Sequence, residues 1–217
     1  MQVMQKEVYM GEQKKVPKKS TIIKDAAALF VITLIAGLLL GLVNQVTKEP
    51  IAASELAAKN AAYQKVFSEG KTFVEEDALT EKLETASFSG AEIAEVLVAK
   101  NGDGNTVGYV MSLIAKEGYG GDISFTIGVK PDGVMTGLSV LSHSETAGLG
   151  ANCTKEEFQA QFEGMVGPEI QYSKTGKSSE NEFDAISGAT ITSKALTSAV
   201  NAGLSFLAEN DCFTELS

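Results

Sequence analysis

Apolar residues fall into three patterns along this chain, and each predicts a different element. The first is a block. Ala26 to Val43 contains no charged residue, is rich in Leu, Ile, Val, Ala and Gly, and is bracketed by Lys24 and Asp25 before it and Lys48 and Glu49 after it. At about 1.5 Å of rise per residue, the uncharged run from Ala26 to Thr47 spans on the order of 30 Å as a helix, the thickness of a bilayer's hydrocarbon core. The second pattern is alternation: Ile123, Phe125, Ile127 and Val129 interleave with Ser124, Thr126, Gly128 and Lys130, the mark of a strand with one buried face. Similar strands are predicted over 94–99, 106–114 and 134–141, with that one over 122–129. Turn sequences separate them at Asn101-Gly102-Asp103-Gly104 and Pro131-Asp132-Gly133, so an antiparallel sheet is expected. The third pattern is helical, with Leu196, Val200, Leu204 and Leu207 recurring at spacings of three and four after Thr192.

Weaker signals fill the gaps. A helix is expected over 50–69 with Gly70 as its stop, a short one around Asp77 to Glu84, and another over 155–163, followed by a loop rich in Gly, Ser and Lys over 164–179. The predicted class is α+β, an antiparallel sheet with packed helices, preceded by one N-terminal transmembrane helix. The expected organisation is a basic N-terminus over 1–25, the membrane helix over 26–47, a helical connector over 48–90 and a domain over 91–217. A cleaved signal peptide is the alternative for the apolar block. The block is longer than an ordinary signal core, and Ile51-Ala52-Ala53-Ser54 is a weak cleavage site, so a retained anchor is expected.

Charge orients that anchor. Lysines 6, 14, 15, 18, 19 and 24 face only Glu7, Glu12 and Asp25 on the N-terminal side, which predicts a cytoplasmic N-terminus and an extracytoplasmic remainder. Taking those six lysines and three acids from the totals of 18 and 28 leaves 12 Lys against 25 acidic residues, a formal charge of −13 for the rest. That balance argues against nucleic acid as a partner and against a domain lying on anionic lipid, so the bilayer contact is assigned to the anchor alone. Neither of the two cysteines, Cys153 and Cys212, sits in a metal-ligand spacing, and His143 is the only histidine. No metal site is expected. The cysteine pair can be read as a disulfide or as two free thiols.

One segment carries chemistry. In Asp184-Ala185-Ile186-Ser187-Gly188-Ala189-Thr190, Ser187 and Gly188 permit a tight turn, and Gly188 and Ala189 are too small to screen the main chain. The Thr190 hydroxyl is then presented at a helix N-terminus, where backbone N–H groups favour an anion such as a phosphate. An ordinary turn and helix cap is the plainer reading of the same residues. Gly118-Tyr119-Gly120-Gly121 is not a P-loop, since no Gly-Lys-Ser/Thr follows, and Asp103-Gly104-Asn105 lacks the other ligands of an EF-hand.

The segment resembles the flavinylation motif, Asp-x-x-Ser/Thr-Gly-Ala-Thr/Ser, of the FMN-binding domain shared by the G subunit of the Rnf complex and the C subunit of the sodium-pumping NADH:quinone reductase. His143-Ser144-Glu145-Thr146-Ala147-Gly148-Leu149-Gly150 is similar to that family's His-x-Glu-Thr-Pro-Gly-Leu-Gly segment, with Ala147 in place of the usual Pro, and Gly118 to Gly121 matches in the same order. The resemblance covers about Ile93 to Leu207. It implies FMN joined by a phosphoester to Thr190, installed from FAD by a separate flavin transferase. It also implies cofactor contacts from Tyr119, Gly120, His143, Glu145, Thr146, Gly148, Leu149, Gly150, Ser187, Gly188, Ala189 and Thr192. Tyr119 as a plain core aromatic, and His143 as a loop-fixing residue, stay open beside those roles. No residue is expected to be catalytic in its own right. The implied function is electron relay within an Rnf complex passing electrons between ferredoxin and NAD, with the other Rnf subunits as partners. The C subunit of the quinone reductase, or an anchored binding domain without cofactor, are the alternatives.

Overall fold

A computed structural model describes residues 19–213, and these divide into two compact units, the first ending at Ala53 and the second beginning at Ser54. The basic N-terminal lysines 6, 14, 15 and 18 lie outside the described residues. The first helix, α1, runs Lys19–Val66 with Pro50 inside it. The structure thus joins the predicted 26–47 and 50–69 helices into one element, because Lys48 and Glu49 are helix formers and no glycine intervenes.

In the first unit the apolar part of α1 leaves its large side chains, Leu29 through Val46, exposed. It is long and apolar enough to cross a membrane by length and composition. Its hydroxyls are satisfied within the helix: Thr33 donates to the Leu29 and Phe30 carbonyls, and Thr47 to that of Val43 at 2.9 Å. That is the arrangement a surrounding without water demands.

The second unit is built on a five-stranded antiparallel meander, β1 (Thr72–Glu75), β2 (Ala91–Lys100), β3 (Thr106–Ala115), β4 (Ile123–Val129) and β5 (Met135–Ser142), paired in chain order. The four expected strands are present: β2 extends the expected run at both ends and β3 by one residue, while β4 starts one residue later and β5 is shifted by one. β1 is additional: Thr-Phe-Val-Glu is too short and polar to stand out, and forms by pairing its four residues with Leu97 to Lys100. Helix α2 (Asp77–Thr85) follows it near the expected place.

Alternation gives the sheet two faces. Val96, Val98, Met111, Leu113, Phe125 and Ile127 point into the main core, which α4 (Thr190–Glu209) closes with Leu196, Val200, Leu204 and Leu207. The opposite face, with Leu97, Ala99 and Val110, receives Tyr63 and Val66 from the end of α1 and Phe67 directly after it. Gly108 is required there, since a Cβ on it would lie 2.5 Å from the Phe67 ring and from the Val129 carbonyl oxygen.

The predicted 155–163 helix is reduced to a single helical turn, α3 (Glu156–Gln159), continued by a 3-10 turn (Ala160–Phe162), and a further 3-10 turn (Gly150–Thr154) precedes it. Pairing with the β5 edge stops it. Gly164 N–H donates to the Met135 carbonyl at 2.8 Å and Met135 N–H to that of Met165 at 2.9 Å. The expected 164–179 loop contains half of a second feature, a parallel pair of β6 (Gln171–Ser173) and β7 (Glu182–Asp184). Gln161 pins β7 through its side-chain carbonyl, which accepts the Asp184 N–H at 2.7 Å, while Phe183 packs against Phe162 at 4.7 Å between ring centroids. This pair delivers the chain to the segment before α4. Cys153 and Cys212 are free and buried.

Candidate functional site

Three separate loops meet at the N-terminus of α4. The first is the 116–122 connection of β3 and β4, held at its base by Lys116, whose ammonium lies 2.8 Å from Glu92 and 3.0 Å from Asp122. The second follows β5 and contains His143 to Gly150. The third is the turn from Ile186 to Ala189, closed by the Ala189 N–H donating to the Ile186 carbonyl at 2.9 Å. Gly188 sits at its third position with φ +73°, a left-handed conformation that glycine adopts without strain.

Between them lies a cleft of about 550 Å³, within the range of roughly 300–1,000 Å³ typical of small-molecule sites. The loops contribute Tyr119, Glu145, Thr146, Leu149 and Gly150, and the helix start contributes Gly188, Ala189, Thr190, Ile191 and Thr192. Tyr119 is 70% exposed at the rim, Ile191 52% and Leu149 44%, so an apolar wall faces open space. Tyr119 is therefore no core aromatic.

Thr190 is the first residue of α4, half-buried, and its hydroxyl makes no hydrogen bond among the described residues. Ala189 supplies no side-chain cap. The amides of the first turn, which have no intrahelical partners, are thus left to an incoming acceptor. An alkoxyl oxygen beside uncapped helix N–H groups and an apolar cleft suits a phosphate monoester carrying a planar ring system.

Of the expected site residues, Tyr119, Glu145, Thr146, Leu149, Gly150, Gly188, Ala189, Thr190 and Thr192 come together around the cleft. Gly120, His143, Gly148 and Ser187 are not in its lining. His143 instead fixes its own loop, its Nδ1 accepting the Glu145 N–H at 3.0 Å. Gly120 is a close-approach residue: a Cβ on it would strike the Ser144 carbonyl. Thr192 is fully buried, and its hydroxyl is committed to the Glu145 carboxylate at 2.7 Å. It sits beneath the cleft, not free for a phosphate. Sequence reasoning passed over Ile191, whose signal was its place directly after the motif, and Ser193. The buried Ser193 hydroxyl accepts the Ile186 N–H at 3.0 Å and donates to the Ala189 carbonyl at 3.1 Å, fastening the turn to the helix.

Cys153 is buried near Glu145. Burial, then the nearby Glu145 charge, pushes its thiol up to about 11, so it is not a nucleophile at neutral pH.

Comparison with known proteins places these features. The family model of the FMN-binding domain matches residues 118–205, which take in the first loop from Gly118 onward and the other two whole, and that of the RnfG N-terminal region matches residues 10–66. The chain is 35% identical over 185 residues to the G subunit of the Na(+)-translocating ferredoxin:NAD(+) oxidoreductase complex of Acetobacterium woodii, an alignment that spans 83% of this chain and 88% of that one. It is 29% identical to the G subunit of the ion-translocating oxidoreductase complex of Methanosarcina acetivorans, over 88% of this chain and 96% of that one. Among solved structures, the C subunit of the Na(+)-translocating NADH-quinone reductase from Parabacteroides distasonis is 29% identical with a TM-score of 0.47, over 55% of this chain and 63% of that one.

Proposed function

The chain belongs to the family of G subunits of ion-translocating oxidoreductase complexes, and on that premise we propose that it carries FMN through a phosphoester to Thr190 and relays electrons between ferredoxin and NAD. The observation that carries this is the Thr190 hydroxyl. It has no partner among the described residues, stands on an uncapped helix terminus, and opens on a cleft built from three motifs. FMN, once attached, supplies the redox chemistry; the protein contributes attachment, orientation and shielding from water. Attachment by a flavin transferase is balanced when the Thr190 Oγ–P bond forms, the pyrophosphate bond of FAD breaks, AMP leaves and the hydroxyl proton is lost.

Each residue has a part. The first-turn amides of α4 bind the phosphate oxygens. Leu149, Ile191 and Tyr119 form the apolar wall against which a ring would lie. Gly188 gives way to the approach, and Thr146 borders the cleft. The apolar part of α1 anchors the protein in the cell membrane, with the N-terminus cytoplasmic and the flavin domain extracytoplasmic. Its partners are the other members of the complex and, during maturation, the transferase. Membership in this family favours the ferredoxin:NAD complex over the quinone reductase.

The test is intact mass and in-gel flavin fluorescence of denatured full-length protein, co-expressed with a flavin transferase and exported. Wild type is expected to gain the mass of one esterified FMN and to fluoresce, and Thr190→Ala to do neither. An unmodified wild type, beside a control substrate that the same transferase does modify, would leave an anchored binding domain without cofactor as the account.

A further inference from the structure

Glu145 is the charged residue most at odds with its surroundings. It is only 8% exposed, yet no lysine pairs with it among the described residues. A buried carboxylate without a cation is costly unless hydrogen bonds hold it. Here they come from two different elements: Gly120 N–H reaches Oε1 at 3.0 Å from the β3–β4 connection, and the Thr192 hydroxyl reaches Oε2 at 2.7 Å from the first turn of α4. Its own main chain belongs to the loop after β5, where His143 secures its N–H.

Two glycines make room for this side chain. A Cβ on Gly150 would collide with Oε2, and one on Gly118, besides striking the Gly121 carbonyl oxygen, would lie 2.9 Å from Oε1. Glycine at those positions therefore serves the carboxylate as well as any ligand. An apolar residue of equal volume could fill the space, but it could accept neither bond. It would leave the Gly120 amide and the Thr192 hydroxyl buried or loose.

We infer that Glu145 is the positioning residue of the flavin pocket: one carboxylate fastens the 118–121 loop and the 143–150 loop to the helix turn that presents Thr190. This rests on the reading of the pocket as the FMN site, but the clamp itself exists in the protein without flavin. Glutamine can replace it geometrically. Its carbonyl oxygen accepts from Gly120, its amide donates to Thr192, and the threonine hydroxyl turns to accept.

Two readouts on the full-length protein separate the clamp from the flavin reading. In the Thr190→Ala background, which carries no flavin, amide exchange of the 119–121 segment is expected to accelerate roughly tenfold or more in Glu145→Ala and to stay within about twofold in Glu145→Gln. In flavinylated protein, Glu145→Ala is expected to keep the mass gain of FMN while its visible circular dichroism collapses toward that of free FMN, with Glu145→Gln restoring it. Unchanged exchange in Glu145→Ala, or equal loss in Ala and Gln, would overturn the proposal. If Glu145→Ala fails to fold, Thr192→Val decides. It keeps the volume and removes one bridge, so unchanged exchange over 143–150 would overturn the clamp. Absence of flavin on wild type would sink the functional reading and leave the exchange result standing.

Discussion

The two ends of α4 share one helix and little else. Toward its C-terminal half, Leu204 and Leu207 are buried against the sheet, and Gly203 lets the helix approach so closely that a Cβ would meet Leu113 at 3.3 Å and the Met111 Sδ at 3.4 Å. At its N-terminus the same helix starts uncapped, with Thr190 open to the cleft and Ile191 facing solvent. One end is held by apolar area, which is non-directional and tolerant of chemistry but not of volume. The other is held by a few directed hydrogen bonds through Ser193 and Thr192, which fix geometry while leaving surface uncovered. An accessible hydroxyl needs this second kind of support, because packing that buried Thr190 would also block it.

The comparison breaks most visibly at the packed end. Leu204→Ala removes a side chain that is 1% exposed and leaves a cavity, and is expected to destabilise the second unit by about 2–5 kcal/mol. Denaturant unfolding would show it as a lower midpoint. Flavin attachment below that midpoint should persist. At the open end, Ser193→Ala removes an acceptor for the buried Ile186 N–H and is expected to cost about 1–3 kcal/mol. It should also slow flavinylation, because the turn before Thr190 loses its tie to the helix. Equal flavinylation rates in the two variants would show that the ends are not independent.

A pH series sharpens the contrast without mutation. Burial and the Glu145 charge raise the Cys153 thiol to about 11, above its ordinary value of 9.0. The unfolded chain therefore releases the proton first, and stability falls as pH rises from about 9 toward 11, while below 9 both states hold it and nothing changes. Under native conditions at about pH 8, alkylation of Cys153 should lag a free cysteine by more than about tenfold. Alkylation at the rate of a free thiol would mean that the core around Cys153 opens.

This division also decided what could be read from residues alone. The apolar block of α1, the alternation of β4 and the Leu196 to Leu207 stripe are statements of area and period, and area and period are visible in a sequence. The short pairs β1 with β2 and β6 with β7 are not, because Thr-Phe-Val-Glu and Gln-Tyr-Ser carry no period and form only when a neighbour's backbone is in place. The three loops of the cleft were legible through family likeness. Their joining through Glu145 was not, since nothing in His-Ser-Glu-Thr announces that the carboxylate turns inward to Gly120, 25 residues before it, and to Thr192, 47 after it.

The finest test lies at Ile191. If the open end is held by directed bonds alone, then truncating an apolar side chain that is 52% exposed should cost almost nothing: Ile191→Ala is expected to stay within about 0.5 kcal/mol of wild type in unfolding. The same change removes part of the apolar wall of the cleft, so it should alter the visible circular dichroism of attached flavin while leaving the mass gain intact. A clear loss of stability would mean that Ile191 is packed in the protein's working state, and that the uncovered rim is covered by something the isolated chain does not supply. Unchanged stability with an altered flavin signal would place Ile191 with the ligand and not with the fold, and would make the first turn of α4 a surface whose packing is completed only by the group proposed for Thr190.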